Sequence, residues 1–352
     1  MIARPPRMDD VARLAGVSLG TVSHALNHPH RVAPQTLARV QRAIDELGFV
    51  PDRRARALAG GASAVIGFVV LDLTNSYFVD MARGAEDEAS VAGMNVLLAN
   101  ADVRADKEQT YLQVFDEERV AGILLTPHAR TAGPDDGSRH WRRELVVLNA
   151  EAGPDRCSVV PDDELGGYLA TRHLIDSGRR RLVFAAALLH LAPIAQRLLG
   201  AQRAVAETDG VTLEVLTSHG LRAQHGHDIG EQILARGPQE RPDGVFAAAD
   251  LVALGIVQTT TGRADGTGLR VPEDLAVVGY DDNQAAWGCA VPLSTIAQPG
   301  HEIGRIAARL LIEEIRAPDD HEHQRVRLPP TLVVRASTAG AAASSVDPRH
   351  AV

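Results

Sequence analysis

The sequence is poor in cysteine and in long apolar runs, and each shortage excludes a class of protein. Its two cysteines, Cys157 and Cys289, are too few for a disulfide framework and form no C-x-x-C metal motif. The longest apolar runs, such as 64–73 and 182–191, are too short to cross a bilayer. The first residues, MIARPPRMDD, lack the apolar stretch of a signal peptide. We therefore predict a cytoplasmic protein.

What is present is an ordinary soluble composition with an uneven charge. The 352 residues are 45% hydrophobic and 23% charged, enough for two or three folded units and a sizeable core. Residues 1–60 contain nine arginines and five acids, a balance of +4, so the remaining residues carry −13 within a total of −9. A basic head indicates nucleic-acid binding, because arginines replace the counterions around phosphates, although chance scatter of charge is the alternative.

The basic head predicts three short helices. Asp9 or Asp10 can cap a first helix, and Ser18 can cap a second one at 19–26 after a break at Gly16. Pro34 suits the first position of a third helix, whose apolar residues recur at helical spacing until Gly48. Two helices joined by a tight glycine turn, with a third behind them, predict a helix-turn-helix unit.

The rest of the chain predicts a linker and then a larger α/β unit. Residues 52–59 are too few and too positively charged to be a stable helix in water. From residue 64, apolar strand-like runs alternate with helical ones, which predicts parallel sheets covered by helices. We predict strands at 65–71, 96–100, 123–126, 145–149, 182–187, 211–217, 245–249 and 275–280, and helices at 78–91, 166–177, 195–207, 226–236 and 303–315.

The predicted boundaries divide the chain into four parts. Residues 1–50 form the helix-turn-helix domain and residues 51–62 the linker. Residues 63–336 are too many for one sheet of ordinary size, so we predict two α/β lobes. Residues 337–352 are small and polar, which predicts a disordered tail without the apolar heptads of a coiled coil.

Six segments occur in the order that one protein family has. They are DVARLAGVSLGTVSHALN at 10–27, RRARALA at 53–59, DLTN at 72–75, HLIDSG at 173–178, VVGYDD at 277–282 and LSTIAQ at 293–298. Over residues 8–337 the chain resembles the lactose-repressor/galactose-repressor (LacI-type) family of bacterial transcription regulators. The resemblance implies a small all-α helix-turn-helix domain, a hinge helix and a two-lobed α/β effector domain like the periplasmic binding proteins.

The resemblance also implies which residues bind DNA. Leu19, Gly20 and His24 are placed at the base edges of the major groove, and His24 can donate to guanine N7 or O6, with a phosphate contact as the alternative. Leu58 is placed as a minor-groove wedge in the hinge, with packing on the α/β unit as the alternative. The remaining DNA-binding positions are capping, phosphate-positioning or basic hinge residues: Ser18, Thr21, Ser23, Asn27, Arg53 and Arg56.

An effector site is implied between the lobes. Tyr77 and Phe78 could supply apolar surface for a sugar ring, with Trp287 as a further candidate. The polar positions that match family effector contacts are Asn149, Arg197 and Asp281, and Thr126 and Asp250 lie nearby by the same comparison. The alternative for Arg197 and Asp281 is a structural pair across the cleft. Ala249, Ser76 and Pro161 depart from the family pattern, so a sugar is the family default rather than a firm assignment.

Several other patterns resemble catalytic or metal sites and are better explained otherwise. Residues 16–20 match G-x-S-x-G, but a helix precedes Ser18 where a nucleophile elbow needs a strand. We expect Asp162 and Asp163 to point to opposite faces of an extended segment. We expect solvated histidines at 219, 225 and 227, and a polar surface loop at 319–323. No catalytic residue, metal site or cofactor is predicted.

The sequence therefore predicts a ligand-responsive transcriptional regulator, most simply a repressor. Its expected partners are a pseudo-palindromic operator, a second copy of the chain and a sugar-like effector. The alternatives are a sugar-binding protein without a regulatory role and an α/β enzyme. The basic head argues against the first, and the lack of a nucleophile–base pair at suitable spacing argues against the second.

Overall fold

The computed structural model describes residues 4, 6–49, 63–128, 143–262, 266 and 268–339. The chain divides into two compact units, residues 1–63 and 64–352, which we call the head and the body. The hinge residues of the sequence prediction, among them Arg53, Arg56 and Leu58, lie outside the described residues. Across the described part of the chain, no helix is long and apolar enough to cross a membrane.

The head contains the three predicted helices around a small apolar core. Helix α1 spans Met8–Ala15, α2 spans Leu19–Asn27 and α3 spans Pro34–Leu47, with a 3-10 turn at Pro29–Arg31. Gly16 and Gly48 end α1 and α3 in the left-handed conformation, with φ of 64° and 61°, which glycine adopts without steric cost. The buried core comprises Val11, Ala12, Ala15, Val22, Ala25, Val40, Ala43 and Phe49.

The start of α1 differs from the sequence prediction. The helix begins at Met8, and Asp10 lies inside its first turn, where its carboxylate accepts the backbone N–H of Arg7 at 2.9 Å. This hydrogen bond, together with Arg4 and Arg13, lowers the pKa of Asp10.

The body alternates strands and helices along nearly its whole length. In chain order the elements are β1 (Val65–Val70), α4 (Ser76–Val91), β2 (Asn95–Asn100), α5 (Ala105–Glu117), β3 (Gly122–Leu125), β4 (Glu144–Leu148), β5 (Ser158–Pro161), α6 (Asp163–Asp176), β6 (Arg181–Ala186), α7 (Ala192–Ala206), β7 (Thr212–Thr217), α8 (Ala223–Leu234), β8 (Gly244–Ala247), α9 (Asp250–Thr261), β9 (Ala276–Tyr280), α10 (Gln284–Trp287), β10 (Ser294–Ala297), α11 (Gly300–Arg316), β11 (Arg325–Leu328), β12 (Thr331–Val333) and α12 (Ala336–Ala339).

These strands form two six-stranded sheets, which confirms the predicted fold class. Lobe 1 has the order β11-β5-β4-β3-β1-β2, with every pair parallel. Lobe 2 has the order β12-β10-β9-β8-β6-β7, parallel except for β12 against β10. Both sheets are buried on two faces by helices, as their continuous apolar strands predict.

The chain passes between the lobes three times. It leaves lobe 1 after β5, returns after β10, and crosses again between β11 and β12. Helix α11 belongs to lobe 1, because Ile303 and Leu310 pack in the same core cluster as Ile66 and Phe68. Neither lobe is therefore a continuous stretch of sequence.

The predicted tail begins too early. Ser337 and Thr338 are buried in the short helix α12. The Ser337 hydroxyl donates to the carbonyl of Val277 at 2.5 Å and accepts the N–H of Ser294 at 2.8 Å, and Thr338 Oγ1 lies 2.6 Å from Ser294 Oγ. Small polar residues can be buried when each polar group has a partner, so disorder from Ser337 was wrong for residues 337–339.

A buried carboxyl group in lobe 1 makes the stability of the body depend on pH. Glu108, on α5, is fully buried, and burial raises its pKa to about 7, opposed by the N–H of His128. Its second oxygen has no hydrogen-bond partner among the described residues. Because the pKa of Glu108 is higher in the folded protein than in the unfolded chain, the folded protein is stabilised when this carboxyl group is protonated. The free energy of unfolding of the body therefore decreases as the pH rises from the unfolded-state pKa of this group through about 7.

Glu108→Gln should therefore stabilise the protein in alkaline but not in acidic buffer. We expect the free energy of unfolding to rise by about 2–3 kcal/mol at pH 8, and by less than about 1 kcal/mol at pH 5. Urea unfolding at both pH values measures the difference. Glu117→Gln, at an exposed site on the same helix, is the control. An equal gain at both pH values would contradict the prediction.

Candidate functional site

A cleft lies where the carboxyl ends of both sheets meet. Its lining residues include some that follow strands, such as Asn149 directly after β4, Asp281 directly after β9 and Asp102 two residues after the end of β2. The cavity has a volume of about 340 Å³. Carboxyl ends of parallel strands are where open α/β sheets bind ligands, so this is the candidate small-molecule site.

The cleft has apolar walls and a few polar groups. Of the seven predicted effector residues it brings together Tyr77, Phe78, Asn149, Arg197 and Asp281. The full lining is Leu71, Asp72, Thr74, Asn75, Tyr77, Phe78, Asp102, Val103, Asn149, Leu188, Leu191, Pro193, Ile194, Arg197, His219, Gly220, Leu221, Arg222, His225, Ala249, Leu251 and Asp281. The phenol of Tyr77 donates to Asn149 Oδ1 at 2.9 Å, which fixes both side chains.

Arg197 is the buried cation of the site. Its Nε donates to Asp163 Oδ1 at 2.8 Å and its Nη1 to the carbonyl of Ala248 at 2.7 Å. The guanidinium lies over the ring of Tyr280, 3.7 Å from its centroid, and the Tyr280 hydroxyl donates to the same Asp163 oxygen at 3.0 Å. Asp281 is further away, with 3.9 Å between its Oδ1 and Nη2 of Arg197. The arginine is therefore anchored by Asp163, and Asp281 is a second, looser neighbour.

The helix that carries Arg197 packs unusually close to its neighbour. A Cβ on Gly167 of α6 would lie 2.0 Å from the carbonyl oxygen of Arg197, and one on Gly200 of α7 would lie 1.9 Å from that of Glu164. Two glycines facing each other's backbones let α6 and α7 approach at this point. This contact sets the position of Arg197 in the cleft.

Asp281 joins the two lobes. It lies in lobe 2 with φ of 102°, and its carboxylate accepts the side-chain amides of Asn75 and Gln298, each at 2.6 Å. Asn75 belongs to lobe 1 and also accepts from the amide of Asn283 at 3.1 Å. Burial raises the pKa of Asp281 to about 6, and Arg197 opposes this shift. An unfavourable backbone conformation at a ligand cleft is typical of a functional residue.

A second connection between the lobes lies among the residues that line the cleft. Arg222 of lobe 2 donates to Asp102 of lobe 1 at 2.8 Å and lies 3.6 Å from Asp72. Its backbone N–H donates to Nδ1 of His225 at 3.2 Å. The two lobes therefore contact through two separate groups of residues.

In the head, α2 buries one face and exposes the other. The Ser18 hydroxyl accepts the N–H of Thr21 at 3.1 Å, which makes it the cap of α2. Val22 and Ala25 are buried, whereas 49% of Leu19 is exposed and Gly20 and His24 are exposed beside it. Thr21 and Ser23 are half-buried, and the side chain of Asn27 lies outside the described residues.

Comparison with known proteins agrees with both units. The model of bacterial regulatory proteins of the lacI family matches residues 7–52, and that of the periplasmic binding protein-like domain matches residues 171–338. The transcriptional repressor PurR of Vibrio campbellii is 33% identical over 331 residues, which cover 93% of this chain and 96% of that protein. The chain belongs to the lacI family.

Two solved structures of transcription regulators match nearly the whole length of the chain. The lac repressor dimer bound to operator and the anti-inducer ONPF matches with a TM-score of 0.80 at 25% identity, covering 95% of this chain and 99% of that one. The transcriptional regulator CelR in complex with cellobiose matches with a TM-score of 0.67 at 29% identity, covering 94% and 99%. The chain is thus a DNA-binding transcriptional repressor with an effector domain, not an enzyme, as predicted.

Three residues proposed for the effector site of this lacI-family chain do not line the cleft. The Thr126 hydroxyl is buried and donates to the carbonyl of Val69 at 3.3 Å. Asp250 accepts Thr295 Oγ1 and the N–H of Asn283, both at 2.7 Å, and burial raises its pKa. Trp287 lies on α10 and is exposed. Asp250 therefore supports the segment that carries Asp281.

Several histidines and acids also differ from the sequence prediction. His219 and His227 are exposed, as expected, but His219 and His225 also line the cleft, and His225 and His227 belong to α8 rather than to a connection. Asp162 caps α6 by accepting the N–H of Leu165 at 3.0 Å, while Asp163 is buried against Arg197. The two acids do not pair, as expected, but they stand at a helix start rather than on an extended segment.

The side chain of His24 is hydrogen-bonded to its own helix. Its Nδ1 lies 3.0 Å from the carbonyl oxygen of Gly20, which accepts and cannot donate, so Nδ1 carries a proton. Nε2 is therefore the ring nitrogen that remains for a contact with DNA.

The sequence prediction missed the groups that hold the site together. Asn75 and Gln298 lie inside two of the family segments, so the segments located them without showing their contact to Asp281. Arg222 gave no signal, and Asp163 was considered only beside Asp162, because the partners of these two residues lie 120 and 34 residues away along the chain.

Proposed function

We propose that the protein acts in the cytoplasm as a homodimer that represses transcription from a pseudo-palindromic operator. A sugar-like small molecule that binds in the cleft controls the affinity of the protein for the operator. The observation that carries this proposal is the cleft itself, because its polar groups connect two lobes that a ligand could hold together or apart. The lac repressor structure, a dimer on operator DNA, supports the assembly.

The chemistry of the cleft supports a small polyhydroxylated effector. Tyr77 and Phe78 offer apolar surface, while Asn149, Arg197 and Asp281 hold hydrogen-bonding groups in fixed positions. Apolar faces with a few oriented polar groups suit a sugar ring, and the similar regulator CelR is bound to cellobiose. Asp281, the group shared between the lobes, is the residue we propose as the central effector contact.

The effector acts through the contacts between the lobes. A ligand that binds Asp281 changes its bonds to Asn75, and one that binds Arg222 changes the contacts of this arginine with Asp72 and Asp102. Either change shifts lobe 1, whose first strand begins at Val65, shortly after the predicted linker 51–62. This shift changes how readily the hinge folds. The resulting coupling free energy between effector binding and operator binding is about 1–3 kcal/mol.

On the DNA, α2 enters the major groove. Leu19, Gly20 and His24 form its exposed face, with Ser18, Thr21, Ser23 and Asn27 positioned near phosphates. With Nδ1 bonded to Gly20, Nε2 is the atom of His24 that reaches a base edge. The hinge supplies Arg53 and Arg56 for phosphates and Leu58 for the minor groove.

Effector and operator should change each other's affinity by the same factor. The effector is found by thermal-shift screening against mono- and disaccharides and nucleobases, and the operator by selection from randomised duplexes. Calorimetry of the effector is then run with and without saturating operator, and we expect a change of about 5–150-fold. Asp281→Asn should lose effector binding while its operator affinity in the absence of effector is retained.

Two results would count against this function. Effector affinity that is unchanged by operator would remove the proposed coupling. Failure to select any specific duplex would favour the alternative, a sugar-binding protein without a regulatory role.

A further inference from the structure

A second cluster of reactive side chains lies at the edge of lobe 1 opposite the cleft. Cys157 directly precedes β5, His321 and His323 precede β11, and Glu314 lies in the last turns of α11. The thiol sulfur, one carboxylate oxygen and one nitrogen of each imidazole all lie within 4.8 Å of one another. Parallel pairing of β5 with β11 brings these distant parts of the chain together.

The distances between the four candidate ligand atoms suit tetrahedral coordination of a metal ion. Cys157 Sγ lies 3.1 Å from His321 Nε2 and 3.9 Å from His323 Nδ1, and His323 Nδ1 lies 3.9 Å from Glu314 Oε1. With bonds of about 2.0–2.3 Å, neighbouring ligand atoms around Zn²⁺ are about 3.3–3.6 Å apart. The measured separations lie on both sides of that range, so small side-chain movements would complete the tetrahedron.

Glu314 provides an independent indication that the cluster binds a cation. Only 9% of the residue is exposed, and its Oε2 has no hydrogen-bond partner in the described part of the chain. A buried carboxylate oxygen without a partner is costly, and a bound cation would remove that cost.

A nucleophilic Cys–His pair is the competing explanation and fits less well. Cys157 is fully buried and does not line the cleft, so a substrate has no path to its sulfur. The backbone N–H of Gln324 donates to Cys157 Sγ at 3.2 Å. Such outer hydrogen bonds to sulfur orient thiolate ligands in metal sites.

We propose that Cys157, Glu314, His321 and His323 bind one Zn²⁺ ion per chain. One thiolate, two imidazoles and one carboxylate match the donors that Zn²⁺ takes, whereas Mg²⁺ and Ca²⁺ require oxygen ligands. Four protein ligands make a closed, structural site. The ion would fasten the end of α11 and the connection 317–324 to β5, and thereby hold β11 on its sheet.

This proposal changes the interpretation of the histidine-containing segment 319–323. The sequence predicted a polar surface loop there and no metal site. The segment does connect α11 to β11, but His321 contacts a cysteine 164 residues earlier in the chain. No local spacing motif can show a site whose ligands come from such distant positions.

Metal analysis of the full-length protein tests the site. After chelator treatment and dialysis against micromolar Zn²⁺, we expect one ion per chain and a rise of a few degrees in the thermal midpoint. Replacement with Co²⁺ should give the charge-transfer absorption of a thiolate ligand. Cys157→Ser and His323→Ala should each weaken Zn²⁺ binding, in competition with a chromophoric chelator, by more than the roughly 10–100-fold that an outer-shell partner contributes.

The controls separate this site from adventitious binding and from misfolding. Cys289→Ser removes the other cysteine and His301→Ala an exposed histidine on α11, and both should bind Zn²⁺ as the wild type does. His323 is exposed, so His323→Ala should match the thermal midpoint of the chelator-treated wild type. Less than one ion per chain, no thiolate absorption, or unchanged affinity in Cys157→Ser would each overturn the proposal.

Discussion

Arg197→Met should lower the free energy of unfolding of the body by about 3–5 kcal/mol, because it leaves the Asp163 carboxylate buried without its cation. The substitution also removes the hydrogen bond of the guanidinium to the carbonyl of Ala248 and its contact with the Tyr280 ring. The expected result is a large decrease of the urea midpoint, measured by circular dichroism, together with loss of effector binding.

Two variants on the same structure provide the controls. Arg203→Met, one turn and a half further along α7, removes an exposed pair with Glu164 and should cost at most about 1 kcal/mol. Adding Asp163→Asn to Arg197→Met removes the uncompensated charge and should recover part of the lost stability. If the double variant were as unstable as the sum of its single changes, the charge explanation would be wrong.

Leu58→Ala should weaken operator binding by about two orders of magnitude, equivalent to about 3 kcal/mol, and leave non-specific binding nearly unchanged. The proposed reason is that the leucine enters the minor groove only when paired hinges fold on a correctly spaced operator. Arg53, Arg54 and Arg56 lie two to five residues before it in the sequence, and they cannot be buried with it in a core. Fluorescence anisotropy with the selected operator and with a scrambled duplex measures both affinities.

Arg56→Ala is the matched comparison in the same segment. It removes a charge and leaves the apolar side chain in place, so it should weaken binding to both duplexes similarly. The number of counterions released on binding, given by the salt dependence of the affinity, should fall by about one. Equal loss on both duplexes with Leu58→Ala would instead mean that Leu58 stabilises the protein and does not read DNA shape.

The strands that the sequence predicted are those whose own residues form a run of apolar side chains. The run at 65–71 becomes β1, whose five last residues are buried on both faces. Strands β5, β10 and β12 have only three or four residues with two aliphatic side chains each, too few to form such a run, and none of them was predicted. Their place is fixed by pairing with distant strands, which a local pattern does not contain.

The same distinction applies to the cleft. Asn149 and Asp281 end long apolar strands, so their positions at the carboxyl edge could be predicted from the sequence. The partner of Arg197 could not, because Asp163 reaches it only through the close packing of α6 on α7. Asp250 follows a strand too, yet its carboxylate turns inward to Thr295, since a buried backbone N–H at Asn283 needs an acceptor.

The three passages between the lobes affect how the protein is made on the ribosome. The helices of the head are complete once its first 49 residues have left the ribosome. Both sheets, in contrast, are incomplete until β11 and β12, near residue 330, have been synthesised. Until then, β5 and β10 are unpaired edges, and such edges associate with other chains. During synthesis a DNA-reading unit therefore exists before the unit that senses the effector. Premature termination shortly before β11 would produce a chain that can contact DNA but cannot respond to a signal.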